Sequence, residues 1–286
     1  MISVPYEIVD VFTDRPFTGN PLAVVYQAEH LGTDQLRALA QEFNLSETVF
    51  VLPPTRPGAT YRARIFTPYE ELPFAGHPSV GAAVSVSRRD GTGPGEMVQE
   101  CGAGLLPITV HLDGAATLTG GPPTVGPELD PAPYLATAGL SAADLAGPAV
   151  RIAGCGLEFP YLSVLPGAVA RAAGNPTTGV RMVTVFAWDP DTGTAHARVF
   201  CPGVGVPEDP GTGSSALGLG VWLVVSGLLP GDGGSTYTVR QGIEMHRPST
   251  LSCVVTARAG AAVSATVTGH VVPVAHGEIA VPPFVG

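Results

Sequence analysis

Hydrophobic and polar residues alternate along most of the chain in short runs cut by glycine and proline, the pattern of strands joined by turns. Such runs span Glu7–Phe12, Leu22–Tyr26, Thr48–Leu52, Tyr61–Phe66, Met182–Trp188 and Leu251–Thr256. With 37 Gly and 29 Pro to supply turns, strand and turn dominate and helices are few. One helix is predicted from Leu36, Leu39, Ala40 and Phe43 at helical spacing, with Thr33 or Asp34 as N-cap and Asn44 placed to end it. Two more, Pro78–Ser87 and Ser214–Ser226, are unusual in being made of small residues.

Those two helices expose an internal repeat. Arg64-Ile65-Phe66-Thr67-Pro68, then Pro73, matches Arg198-Val199-Phe200-Cys201-Pro202, then Pro207, at a constant offset of 134. Each copy runs strand, Pro-bounded loop, Gly-containing turn and small-residue helix. Duplication is the reading adopted, with one half at 1–125, a second at 126–286, and a boundary in the Pro/Gly-rich stretch 120–133. A helix with small residues all round is expected to be wrapped by the sheet of its own half.

Composition narrows the chemistry. A hydrophobic content of 45% and a charged content of 13% over 286 residues suit a well-buried core. The net charge of -10 argues against a nucleic-acid partner. All 14 basic side chains are Arg. Without lysine there is no Schiff base to pyridoxal phosphate or to a carbonyl substrate, and no P-loop lysine. The beginning of the chain has no signal-peptide pattern, and its longest apolar run, near Leu217–Leu229, is too short and too interrupted to span a bilayer. Cys101, Cys155, Cys201 and Cys253 form no CxxC and read as reduced cytosolic thiols. The seven histidines form no zinc-binding spacing. The expectation is a cytoplasmic protein with no metal, cofactor, membrane or nucleic-acid partner.

Three stretches carry candidate chemistry. In Asn44-Leu45-Ser46-Glu47-Thr48-Val49-Phe50-Val51, a strand would put Glu47 on one face with Leu45, Val49 and Val51. Lost hydration there suits a general acid/base, and the alternative is an edge-strand glutamate reaching water or an arginine. In Glu71-Leu72-Pro73-Phe74-Ala75-Gly76-His77-Pro78, His77 stands at the mouth of a helix whose first-turn N–H groups are unpaired; it could equally be a cap or a buried structural histidine. In Glu208-Asp209-Pro210-Gly211-Thr212-Gly213-Ser214, the glycines allow close backbone approach to a ligand, whereas Asp209 could be a turn residue and Ser214 an N-cap. Two helix mouths related by a repeat make a ready carboxylate cradle.

These residues, with Asp10-Val11-Phe12-Thr13, Gly19-Asn20-Pro21-Leu22-Ala23-Val24-Val25 and Gln241-Gly242, stand in the order and spacing of the PhzF-like isomerases of phenazine biosynthesis, which the chain resembles over essentially its whole length. The resemblance implies an α+β fold of two pseudo-symmetric, diaminopimelate-epimerase-like domains, each a curved sheet around a central helix, with a cleft between them, and a homodimer. It implies catalytic roles for Glu47, His77 and Asp209, substrate binding by Gly76, Gly213 and Ser214, and a small carboxylic acid as substrate. Racemases of the same fold resemble the chain too, but their paired thiols would fall at Ala75 and Pro210, which cannot ionise. A one-base proton shift by Glu47 is the expected reaction; a racemase and a non-catalytic binding scaffold are the rivals. One departure is Met245-His246-Arg247-Pro248-Ser249, where the family usually has glycine at the place of His246.

Overall fold

The computed structural model describes residues 2–283. Residues up to Leu118, together with those from Thr268 onward, form one compact unit, and Thr119–Val267 form a second.

The first unit runs β1 (Ser3–Val11), β2 (Asn20–Tyr26), α1 (Thr33–Phe43), β3 (Glu47–Leu52), β4 (Tyr61–Phe66), β5 (Glu71–Leu72), α2 (Gly76–Asp90), β6 (Gly95–Cys101), β7 (Gly104–Val110) and β8 (Ala115–Thr119). Strand β2 is antiparallel to β1 and parallel to β3, and β4 is antiparallel to β3 and β5 but parallel to β6. Parallel neighbours need a crossover, and α1 and α2 supply the two crossovers. Antiparallel β7 and β8 follow.

The second unit runs β9 (Pro123–Glu128), α3 (Ala132–Ala138), β10 (Arg151–Cys155), β11 (Glu158–Ser163), α4 (Pro166–Arg171), β12 (Val183–Asp189), β13 (Thr194–Cys201), β14 (Val206–Asp209), α5 (Gly213–Val225), β15 (Gly233–Gln241) and β16 (Ser249–Arg258). Strand β11 is antiparallel to β10 and parallel to β12; β13 is antiparallel to β12 and β14 but parallel to β15, which forms a hairpin with β16. The succession of pairings matches that of the first unit step for step.

The last strand, β17 (Ala261–Ala280), begins in the second unit and ends in the first. Its residues from Val271 to Ala280 pair antiparallel with β1, and the Val271 N–H donates to the Gly114 carbonyl at 3.1 Å. Residues from Thr268 onward therefore depart from the second half expected at 126–286. Alternation marks a strand without naming the strand beside it, and this partner lies at the opposite end of the chain. Because β17 pairs with both β1 and β8, the order β17-β1-β2-β3-β4-β6-β7-β8 closes on itself as a barrel, and closure removes exposed sheet edges.

Each small-residue helix is buried over most of its length. Gly76–Ser87 of α2 are all buried, and the helix packs on β1, β2, β3, β4, β6 and β7. Gly213–Val224 of α5 are likewise buried, against β9, β10, β11 and β16. The glycines of α5 are there for close approach: a Cβ at Gly218 would overlap the Tyr161 hydroxyl, and one at Gly220 the Tyr237 hydroxyl. Those hydroxyls donate to the Ser215 and Ala216 carbonyls, both at 2.7 Å.

Helix α1 buries Leu36, Leu39 and Ala40 against a cluster that includes Phe50 and Phe66, and Asn44 ends it in the left-handed region at φ 51°. Its N-cap is Gly32 rather than Thr33 or Asp34. The Gln35 Oε1 accepts the Gly32 N–H at 3.0 Å, while the Thr33 hydroxyl accepts from Arg64.

Candidate active site

Strand β3 begins at Glu47, which lies opposite Leu22 of the parallel strand β2. The neighbours Thr48, Val49 and Phe50 are fully buried, so both faces of the strand are covered there, while Glu47 keeps a side-chain exposure of 16%. Helix α2 starts at Gly76 with Ala75 as N-cap, which puts His77 in the first turn. His77 is buried, and its Nδ1 lies 3.4 Å from Glu47 Oε2 and 3.2 Å from the Asn20 side-chain amide. Burial pushes the imidazole down to about 3, against the opposing effect of a hydrogen bond with the Pro21 backbone. The ring is therefore neutral at ordinary pH, and its proximity to Glu47 is not an ion pair.

In the second unit, Asp209 ends β14 and is buried. Helix α5 starts at Gly213, one residue earlier than a start at Ser214, with Thr212 as N-cap. Thr212 does not use its side chain to cap the helix. Its hydroxyl donates instead to Asp209 Oδ2 at 2.5 Å. Gln241, at the end of β15 and buried, donates from Nε2 to the Asp209 carbonyl at 2.7 Å and to Thr212 Oγ1 at 2.9 Å, and its Oε1 accepts the Thr212 N–H at 3.1 Å. Ser214 lies buried in the first turn. No side chain caps α2 or α5, so each helix presents first-turn N–H groups, at Gly76 and His77 in one unit and at Gly213 and Ser214 in the other, suited to an anion.

Both approaches to these helices are pinned the same way. Arg64 on β4 donates from Nε and Nη2 to the two carboxylate oxygens of Glu71 at 2.7 and 2.6 Å. Arg198 on β13 does the same to Glu208 at 2.8 and 2.7 Å. Each guanidinium also lies over the phenylalanine two residues on, Phe66 at 5.2 Å and Phe200 at 5.0 Å. The matched Arg-x-Phe segments of the repeat thus carry one clamp, used twice, on the segment that leads to each helix. Arg198 also donates to the Ala172 carbonyl and is less exposed than Arg64 (side-chain exposures 10% and 23%).

The site residues read from sequence fall into two constellations: Glu47, Gly76 and His77 in the first unit, and Asp209, Gly213 and Ser214 in the second. Asn20, Thr212 and Gln241 have contacts to these residues that sequence reasoning did not assign. Asn20 and Gln241 belong to motifs already singled out, but neither motif says which side chain it will meet. At Ala75 and Pro210 stand side chains that cannot ionise. Among the described residues no cluster of His, Cys, Asp and Glu could hold a metal ion, and no helix is long and apolar enough to cross a membrane.

Comparison with known proteins agrees with this architecture. The phenazine biosynthesis-like protein family matches the chain over residues 9–129 and 165–277. An uncharacterized isomerase of Mesorhizobium japonicum is 36% identical over 96% of this chain and 98% of its own length. The trans-2,3-dihydro-3-hydroxyanthranilate isomerase of Pseudomonas aeruginosa is 33% identical over 86% of this chain and 88% of its own. Among solved structures, a PhzF-family phenazine biosynthesis protein of Bacillus anthracis superposes with a TM-score of 0.86 at 23% identity, covering 98% of this chain and all of that one. The sheet-rich fold with its barrel, the motifs at the two helix mouths and the whole-length relatives agree: the chain is an isomerase and belongs to the phenazine biosynthesis-like protein family.

Proposed function

We propose that this isomerase shifts a proton within a small cyclic or conjugated amino or hydroxy carboxylic acid, moving a double bond, with Glu47 as the single general acid/base. The observation that carries the reading is the carboxylate of Glu47 beside a buried, neutral His77 at the uncapped start of α2. A neutral His77 places no positive charge beside the Glu47 carboxylate, which favours its taking a proton. Glu47 accepts the proton of a C–H bond, and the electron pair of that bond moves into conjugation with the neighbouring double bond. The resulting carboxylic acid then gives the same proton to a carbon at the other end of the conjugated system. No atom is gained or lost and no electron leaves the substrate, so the step needs no cofactor.

His77 and Asp209 orient the substrate and assist its polar groups. Ser214 and the backbone N–H groups of Gly76, His77 and Gly213 hold its carboxylate. A two-base racemase would need an ionisable group on each face of the carbon, and Ala75 and Pro210 supply none. The four cysteines are buried thiols outside any disulfide, which suits a reducing compartment, and we place the enzyme in the cytoplasm.

The substrate named for the Pseudomonas aeruginosa relative, trans-2,3-dihydro-3-hydroxyanthranilate, is the first probe. Incubated with the purified protein in deuterated water, with no cofactor added, it should isomerise, as followed by proton NMR. Exchange at one carbon with inversion and no double-bond shift would instead establish the racemase. Neither change, across this probe and related conjugated acids, would leave only the binding scaffold.

A further inference from the structure

Gln241 and Gly242 stand 29 and more residues from the turn they touch, and they touch it at several points. Gln241 holds the Thr212 N–H, the Thr212 hydroxyl and the Asp209 carbonyl with one buried amide. Gly242, at φ 73°, packs so closely that a Cβ there would lie 2.5 Å from the Pro210 carbonyl oxygen. The Thr212 hydroxyl spends its single proton on Asp209 Oδ2 and accepts one from Gln241 Nε2, so its direction is set from both sides. A rotor fixed in this way acts as a one-way relay: amide to hydroxyl to carboxylate.

We propose that Thr212 and Gln241 are positioning residues for Asp209. They fix the orientation of its carboxylate through Oδ2 and stabilise its ionised form. The inference rests on the reading of Asp209 as a substrate-orienting group. A hydrogen bond to the charged form of a carboxyl lowers its pKa, and removing that bond raises it. The charged and titratable groups on the elements around this turn include Arg198, given to Glu208; His196, 3.0 Å from Glu244; Arg240 on β15; and Arg247 in the turn after Gln241. Exchanging Thr212 for valine or serine leaves all of them in place, so the comparison isolates the hydroxyl.

The test labels aspartate carboxyl carbons in the full-length protein, identifies the Asp209 signal by its loss in Asp209→Asn, and titrates it in wild type, Thr212→Val and Thr212→Ser. Thr212→Val should shift the Asp209 titration upward by about one pH unit, and Thr212→Ser should restore it to the wild-type position. On an isomerised substrate, the acidic limb of the kcat/KM profile should move with it. Gln241→Met, which keeps the length of the side chain but removes its donors, should shift the titration in the same direction. An Asp209 titration unchanged in Thr212→Val would overturn the proposal, whatever the activity. Wild-type turnover in Asp209→Asn would instead remove Asp209 from the reaction, so the two failures are told apart.

Discussion

His77 is neutral because α2 begins where it does. A helix start at Gly76 draws the ring into the packed interior of its unit, and desolvation there outweighs the Pro21 backbone contact. The consequence for stability has a definite sign. A histidine held at about 3 when folded but titrating normally when unfolded leaves the native state short of a proton as the pH falls. Stability should therefore be full above about pH 6.5 and decline below it by about 1.4 kcal/mol per pH unit, until the ring itself protonates near 3. Urea unfolding at pH 7, 5.5 and 4.5, compared with His77→Gln, would isolate this contribution (roughly these values bracket the unperturbed histidine range). The variant should show a shallower acid slope, and an equal slope would mean that His77 binds its proton as readily in the folded protein as in the unfolded chain. His246 shows a different constraint. It sits at φ 57° with its side chain exposed, a left-handed position that glycine occupies without cost, which accounts for the usual family residue and makes histidine the strained choice.

Among the elements, the two arginine clamps have the same geometry but unequal settings. The Arg198–Glu208 pair has side-chain exposures of 10% and 15%, against 23% and 38% for Arg64–Glu71. Water screens an exposed pair, whereas removing one member of a buried pair strands the other. Arg198→Ala should cost about 3 kcal/mol or more in denaturant unfolding, and Arg64→Ala about 1 kcal/mol or less. Equal losses would show that both clamps act through packing over Phe66 and Phe200 alone. What sequence disclosed at this scale followed the strength of local signals. Strands β2, β3 and β4 were legible from alternation, and α1 from its spacing and from Asn44. The short helices α3 and α4 were not. They run seven and six residues, too short for a periodic signal, and form because their apolar residues cover a core of Leu135, Leu162, Val169 and Val185. The hydrogen bonds of Gln241 were illegible for another reason: its partner Thr212 is brought to it by the fold and not by the chain.

Over the whole molecule, the repeat at offset 134 reappears as two units with one succession of strand pairings and one clamp, while the ends of the units follow pairing rather than chain order. Local pattern placed Glu47 on a strand and His77 at a helix mouth, but the 3.4 Å between them spans 30 residues of sequence and depends on β2, β3 and α2 being assembled together. The central claim is that Glu47 moves the proton. Its most direct test is the single-turnover rate of Glu47→Gln on a substrate that the wild type isomerises, measured together with the binding affinity of that substrate and the unfolding midpoint. Glutamine keeps size and hydrogen-bonding capacity but cannot take a proton. The account predicts an unfolding midpoint and affinity close to wild type, with the rate down by at least about a hundredfold. A Glu47→Gln enzyme that isomerises its substrate at nearly the wild-type rate would contradict it and move the base to another residue.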